Sequence, residues 1–168
     1  TSRIRINSCI TILPLQHPVV TAKALSTIDW MSSGRITVTF AVGWLEEEFR
    51  LLGVPFRERG RISDEYLAAI IELWTKDSPS FEGKYVSFRD VAFEPKPFQK
   101  PHLPIWMGGD ADAALERAAR FASGWMRIRG RVRQRGVELP LIISDHCDWP
   151  ELLATITESG ASEVWVTH

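Results

Sequence analysis

Cysteine is scarce in this 168-residue chain: only Cys9 and Cys147 are present, far apart and with no C-x-x-C pair. That argues against a disulfide framework and makes a reducing cytoplasm the expected compartment. No apolar run approaches the length of a membrane span, and no segment has the layout of a signal peptide. Internal repeats and low-complexity stretches are lacking. Histidine is sparse as well. Outside the last 46 residues only His17 and His102 occur, each isolated. The formal net charge of −1 describes an ordinary globular chain with no strong bias toward acidic or basic partners. A chain of this length can form one domain and bury roughly 70% of its unfolded surface. It begins at Thr1 without a Met and enters a strand almost at once, which reads as a piece cut from something longer.

What is present is a β–α alternation. Ile4 to Leu13 is rich in β-branched residues and stops at Pro14, the pattern of a strand. His17-Pro18 starts a helix that Ser33-Gly34 ends, with Val19, Ala22, Leu25, Ile28 and Trp30 expected on its buried side. Arg35 to Val42 is a second strand, followed by Gly43. Trp44 to Leu52 is a short amphipathic helix closed by Gly53. Ser63 is expected to start a longer helix, with Tyr66, Leu67, Ile70, Ile71 and Trp74 at helical spacing. Phe81 to Phe93 suggests a hairpin around Gly83, and four prolines between Pro95 and Pro104 make a stiff loop. Ile105-Trp106-Met107 is a short strand, Gly108-Gly109 a turn, and Asp110 the expected cap of a helix running to Phe121. Short connections between such units mean an α/β fold with a parallel sheet, either doubly wound or a barrel. Residues 4–13, 35–42 and 104–107 are expected to be adjacent parallel strands.

Gly43 and Gly108-Gly109 each follow a predicted strand, and the second pair precedes a helix. Exposed amides and the positive end of a helix dipole suit an anion such as a cofactor phosphate. Tight turns alone would also use glycine there.

An ordered series of motifs runs from Leu13-Pro14-Leu15-Gln16-His17-Pro18-Val19 through Val42-Gly43-Trp44, Glu48-Phe49, Leu52-Gly53-Val54-Pro55-Phe56 and Arg59-Gly60-Arg61 to Pro104-Ile105-Trp106-Met107-Gly108-Gly109. Over residues 1–122 this series resembles the luciferase-like monooxygenase family, most closely its deazaflavin-dependent (coenzyme F-420) branch. The resemblance implies a partial (β/α)8 TIM-type barrel entered at its third strand. It also implies an oxidoreductase transferring hydride to or from a small organic substrate, with coenzyme F-420 or FMN as cofactor. A non-proline cis peptide at Cys9-Ile10, beside the cofactor ring, is part of that implication. The cofactor-binding residues it assigns are Cys9, Ile10, Gly43, Trp44, Gly108, Gly109 and Asp110. Trp44 stands where some relatives place an acidic residue, so acid–base chemistry is not expected from that position. The loss of two barrel strands would leave an isolated chain impaired and expose strand edges through which a homo-oligomer could form.

Residues 123–168 read differently. Five arginines, Arg127, Arg129, Arg131, Arg133 and Arg135, are followed by Ser144-Asp145-His146-Cys147-Asp148-Trp149 and a terminal Val164-Trp165-Val166-Thr167-His168. This stretch resembles the C-terminal part of ligase-associated DNA exonucleases of the metallo-β-lactamase (β-CASP) fold. Under that alternative His146 and His168 would be zinc-site residues and the arginines would face nucleic acid. The boundary would make the chain a chimera joined at Ala122-Ser123. The fold needs an H-x-H-x-D-H cluster for its two metals, and the chain has none. Metal-dependent nuclease activity is therefore not expected.

Overall fold

The computed structural model describes residues 4–109, 111–126 and 165–166. The chain has an α/β structure. Its strands are β1 (Arg5–Ile12), β2 (Ile36–Ala41), β3 (Phe81–Glu82), β4 (Ser87–Phe88), β5 (Ile105–Gly108), β6 (Gly124–Met126) and β7 (Trp165–Val166). Its helices are α1 (Pro18–Met31), α2 (Glu46–Leu51), α3 (Arg59–Thr75) and α4 (Asp112–Phe121). Five strands form one sheet in the order β6-β5-β2-β1-β7, and every pair in it is parallel. The three strands expected to be neighbours are neighbours, with β2 between β1 and β5. β7, from the far end of the chain, pairs along the other side of β1.

Alternation along β2 divides the sheet into two faces. Ile36, Val38 and Phe40 pack with Ile105 and Met107 against Leu25 of α1 and Leu67, Ile70 and Trp74 of α3. All are buried. The Trp74 indole N–H also donates to the Ala22 carbonyl at 3.1 Å, tying α3 to α1. Thr37 and Thr39 lie on the opposite face, also buried.

Two expectations are corrected here. α3 starts at Arg59, a full turn before Ser63, and Ser63 is buried inside it. The extra turn is held by distant groups. Arg117 of α4 donates to the Gly60 carbonyl at 3.1 Å and pairs with Asp64 at 2.7 Å, while Arg59 donates to the carbonyls of Gly43 and Phe56 at 3.1 and 2.9 Å. Such contacts override the weak helix propensity of Gly60. On α1, Ala22 and Leu25 face the core as expected, but Ile28 and Trp30 do not. Buried Ser26 and Asp29 take the inner positions instead. Asp29 accepts the Gln99 backbone N–H at 2.9 Å and its side-chain amide at 2.8 Å, which anchors the proline-rich loop. That loop contains cis bonds at Glu94-Pro95 and Lys100-Pro101.

β3 and β4 form the expected hairpin. Glu65 of α3 clamps its tip by accepting the backbone N–H groups of Lys84, Tyr85 and Val86 at 2.9, 2.6 and 2.8 Å. Among the described residues no helix is long and apolar enough to cross a membrane.

Candidate functional site

Because the sheet is parallel, β1, β2, β5 and β6 all end on one rim. β1 is irregular as it reaches that rim. Its register against β2 passes from Ser8↔Val38 to Thr11↔Phe40, so three steps on β1 match two on β2. The extra residue is a bulge, a feature that re-aims side chains. The Cys9–Ile10 peptide within it is cis. Its thiol donates to the Met126 sulfur of β6 at 3.4 Å, and burial pushes the Cys9 pKa up. Cys9 is therefore a protonated, weakly nucleophilic thiol at neutral pH.

The glycines of the rim are constrained by close approach. Gly43 has φ +81°, and a Cβ there would stand 2.8 Å from both Ile12 Cγ2 and the Phe49 ring. Gly109 has φ +136°, and its Cβ would meet Ala114 at 3.0 Å. A Cβ on Gly108 would meet Ile10 Cδ1 at 3.3 Å, which places the β1 bulge directly over the glycine turn. β6 fastens that turn. The Trp125 indole donates to the Gly109 carbonyl at 2.8 Å, and the Gly109 N–H donates to the Met126 carbonyl at 3.3 Å.

α4 begins just beyond. Its N-cap is Ala111, with no side-chain cap, so Asp110 is not the cap predicted for this helix. Alanine has no side-chain acceptor for the orphan amides of the first turn. Asp110 itself lies outside the described residues. Trp44 follows Gly43 on the rim and is 82% exposed.

A cavity of about 570 Å³ opens between the end of β1, the turn after it and α2. Ile10, Ile12 and Leu15 line it with Thr11, Gln16 and Glu48. This volume is ordinary for a small-molecule site. A second cavity, of about 520 Å³, lies on the β3–β4 hairpin among Phe81, Phe88 and Arg89, away from the rim.

Of the residues that the sequence reading assigns to cofactor binding, Cys9, Ile10, Gly43, Gly108 and Gly109 come together at one rim. That reading missed Met126, Trp125, Gln16 and Glu48. It also missed Asn7, whose side-chain oxygen accepts the Thr39 hydroxyl at 3.0 Å on the face leading up to the rim. A buried amide inside a β-branched strand was the available signal. His146, His168 and the arginine run lie outside the described residues. Among the described residues no three His, Cys, Asp or Glu side chains are grouped to hold a metal.

Parallel strands ending in a glycine-lined rim, with helices returning on one face, define an α/β protein built on a parallel sheet. A sequence profile of the luciferase-like monooxygenases matches residues 1–136, and the chain belongs to that family. It is 41% identical over 116 residues to an FMNH2-dependent dimethylsulfone monooxygenase of Pseudomonas putida, a match covering 67% of this chain and 32% of that protein. The monooxygenase RslO1 from Streptomyces bottropensis superposes with a TM-score of 0.67 at 30% identity, over 71% of this chain and 37% of that one. The coenzyme F420-dependent tetrahydromethanopterin reductase of Methanopyrus kandleri superposes with a TM-score of 0.65 at 26% identity, over 76% and 40%. The chain thus spans well under half the length of these relatives.

The exonuclease resemblance read over residues 123–168 finds no support in these comparisons, and neither does zinc. The family match crosses the Ala122-Ser123 boundary and runs on to residue 136. β6, just past that boundary, pairs with β5 in the main sheet. The Gly-Trp-Met strand therefore belongs with what precedes it.

Proposed function

We propose that this chain supplies part of the active site of a flavin- or deazaflavin-dependent oxidoreductase acting on a small organic substrate, built on part of a (β/α)8 barrel. The observation that carries this reading is the β1 bulge around Cys9 and Ile10 packed over Gly108. It joins two strand ends into one surface on which a flat ring can rest. The start of α4 suits a phosphate, because its first-turn amides have no side-chain cap. FMN and coenzyme F420, the cofactors in the names of the relatives above, both carry such a phosphate, and both supply hydride chemistry when bound. The chain's own residues bind and orient. Cys9 keeps its proton and packs; it does not attack. Glu48 is the carboxylate bordering the cavity and can accept a hydrogen bond from a substrate held there.

Titration of the purified chain with FMN and with coenzyme F420, followed by fluorescence, tests this. Binding that Gly109→Val weakens by about tenfold or more is expected, since the valine would press on Ala114 and displace the first turn of α4. Binding unchanged by Gly109→Val would place the cofactor elsewhere.

A further inference from the structure

The cavity beside α2 has an apolar wall and a single charge. Ile10, Ile12 and Leu15 line it from the end of β1 and the turn after it, and Leu51 and Leu52 line it from the end of α2. The two leucines are 85% and 61% exposed, while Phe49 of the same helix is fully buried. This short helix commits one apolar side chain to the core and leaves two at the cavity. Exposed leucines grouped beside a cavity are a contact surface for an apolar ligand.

The polar lining fixes the sign of charge that fits. Thr11 and Gln16 are neutral, and Thr11 shares a hydrogen bond with Ser8 at 2.8 Å. A hydroxyl and an amide each donate and accept, so neither separates a cation from an anion. Among the described residues Glu48 is the one ionisable side chain lining the cavity. An ionised carboxylate only accepts. The acids of the neighbouring elements are engaged: Glu58 takes Lys84 and Tyr85, Asp64 pairs with Arg117, and Glu65 takes the hairpin amides. No described cation pairs with Glu48. Arg50 stands two positions along the helix, a spacing that puts the two side chains on different faces.

A ligand seated there buries its body on the leucines and isoleucines and brings its polar end to a lone acceptor. An ammonium group meets that acceptor with Coulomb attraction and N–H donors, whereas a carboxylate or sulfonate meets repulsion. We infer that the cavity selects small alkylammonium compounds, with Glu48 as the residue that sets the preference for them over anions. As a substrate site the cavity depends on the cofactor reading above; as a binding site for an alkylammonium ion it does not.

Ligand-observed NMR titration of the full chain with hexylamine, hexanol and hexanoate, at neutral pH and without added cofactor, tests it. Hexylamine is expected to bind about tenfold more tightly than hexanoate, with hexanol between them. Octylamine should bind more tightly than hexylamine, by up to about fourfold for each added methylene. Glu48→Gln keeps the shape and removes the charge. It should bring the amine and the carboxylate within about twofold of each other and leave hexanol unchanged. Leu52→Ser should weaken all three probes alike. Both positions are exposed, so both variants should keep the wild-type circular dichroism. Hexanoate binding as tightly as hexylamine, a preference that survives Glu48→Gln, or no binding of any probe overturns the proposal. If the preference holds in a chain that binds neither FMN nor coenzyme F420, the ligand class stands and the cofactor reading alone falls.

Discussion

On the helix-covered face of β2, Ile36, Val38 and Phe40 belong to one apolar cluster. On the other face Thr37 and Thr39 stand beside Asn7, equally buried, and the packing is polar. Thr39 reaches Asn7 at 3.0 Å. The Asn7 amide nitrogen and the Thr37 hydroxyl have no partner among the described residues. The first face is stabilised by burial in proportion to area and tolerates any shape that fits. The second stabilises only where every polar group is matched, so groups left over there call for another explanation. The face with the leftover groups runs up to the Cys9–Ile10 bulge and Gly108. In this chain the apolar surface and the surface that carries the proposed site are the two sides of one sheet.

The contrast can be broken at single positions, and the largest effect is expected at Phe40. Phe40→Ala should cost about 3–5 kcal/mol by leaving a cavity between the sheet and α3, measured as a fall in the urea midpoint. Val38→Thr is the milder probe of the same face. It keeps the shape and adds a hydroxyl with no partner, which should cost about 2 kcal/mol. A loss below about 0.5 kcal/mol in either variant would show that this face is not the close-packed one.

What was legible from the sequence follows the same division. Strands β1, β2 and β5 could be read because each is a β-branched or apolar run closed by Pro14, Gly43 or Gly108-Gly109, and the rim glycines could be read because they follow strands directly. The inner face of α1 could not. With Val20, Ile28, Trp30 and Met31 as apolar as Ala22 and Leu25, periodicity gives little to orient by, and it points Ile28 and Trp30 inward. The start of α3 depends on Arg117, more than 50 residues along the chain. The Cys9 thiol meets Met126 across 117 positions. Contacts of that kind leave no local pattern.

At the rim, Cys9 offers a pH test. Burial raises its pKa, so the folded chain holds the proton more tightly than the unfolded chain. The stability from this group is complete below the unfolded thiol value and is lost as pH rises through the higher folded value. In a Cys147→Ser background, iodoacetamide should therefore label Cys9 with a pH midpoint above that of free cysteine. A midpoint at or below the free value would mean that the thiolate is stabilised there, and that the bulge is a nucleophilic site and not a packing surface.

The smallest expected effect is the most discriminating. Thr37 and Val38 are consecutive residues on opposite faces, and threonine and valine have nearly the same shape. Val38→Thr adds an unmatched hydroxyl to the apolar face. Thr37→Val removes one from the polar face. If the Thr37 hydroxyl is as unpaired as the described residues leave it, its burial already carries a desolvation penalty, and the valine should be neutral or more stable by up to about 1 kcal/mol. The same variant should leave FMN or coenzyme F420 binding intact, because Thr37 pairs with Asn7, before the bulge begins. A Thr37→Val chain destabilised by more than about 1 kcal/mol would mean that the hydroxyl is bonded in the folded protein, through a water or a residue outside those described. The inner face would then be as fully matched as the outer one, and its polarity would serve stability alone.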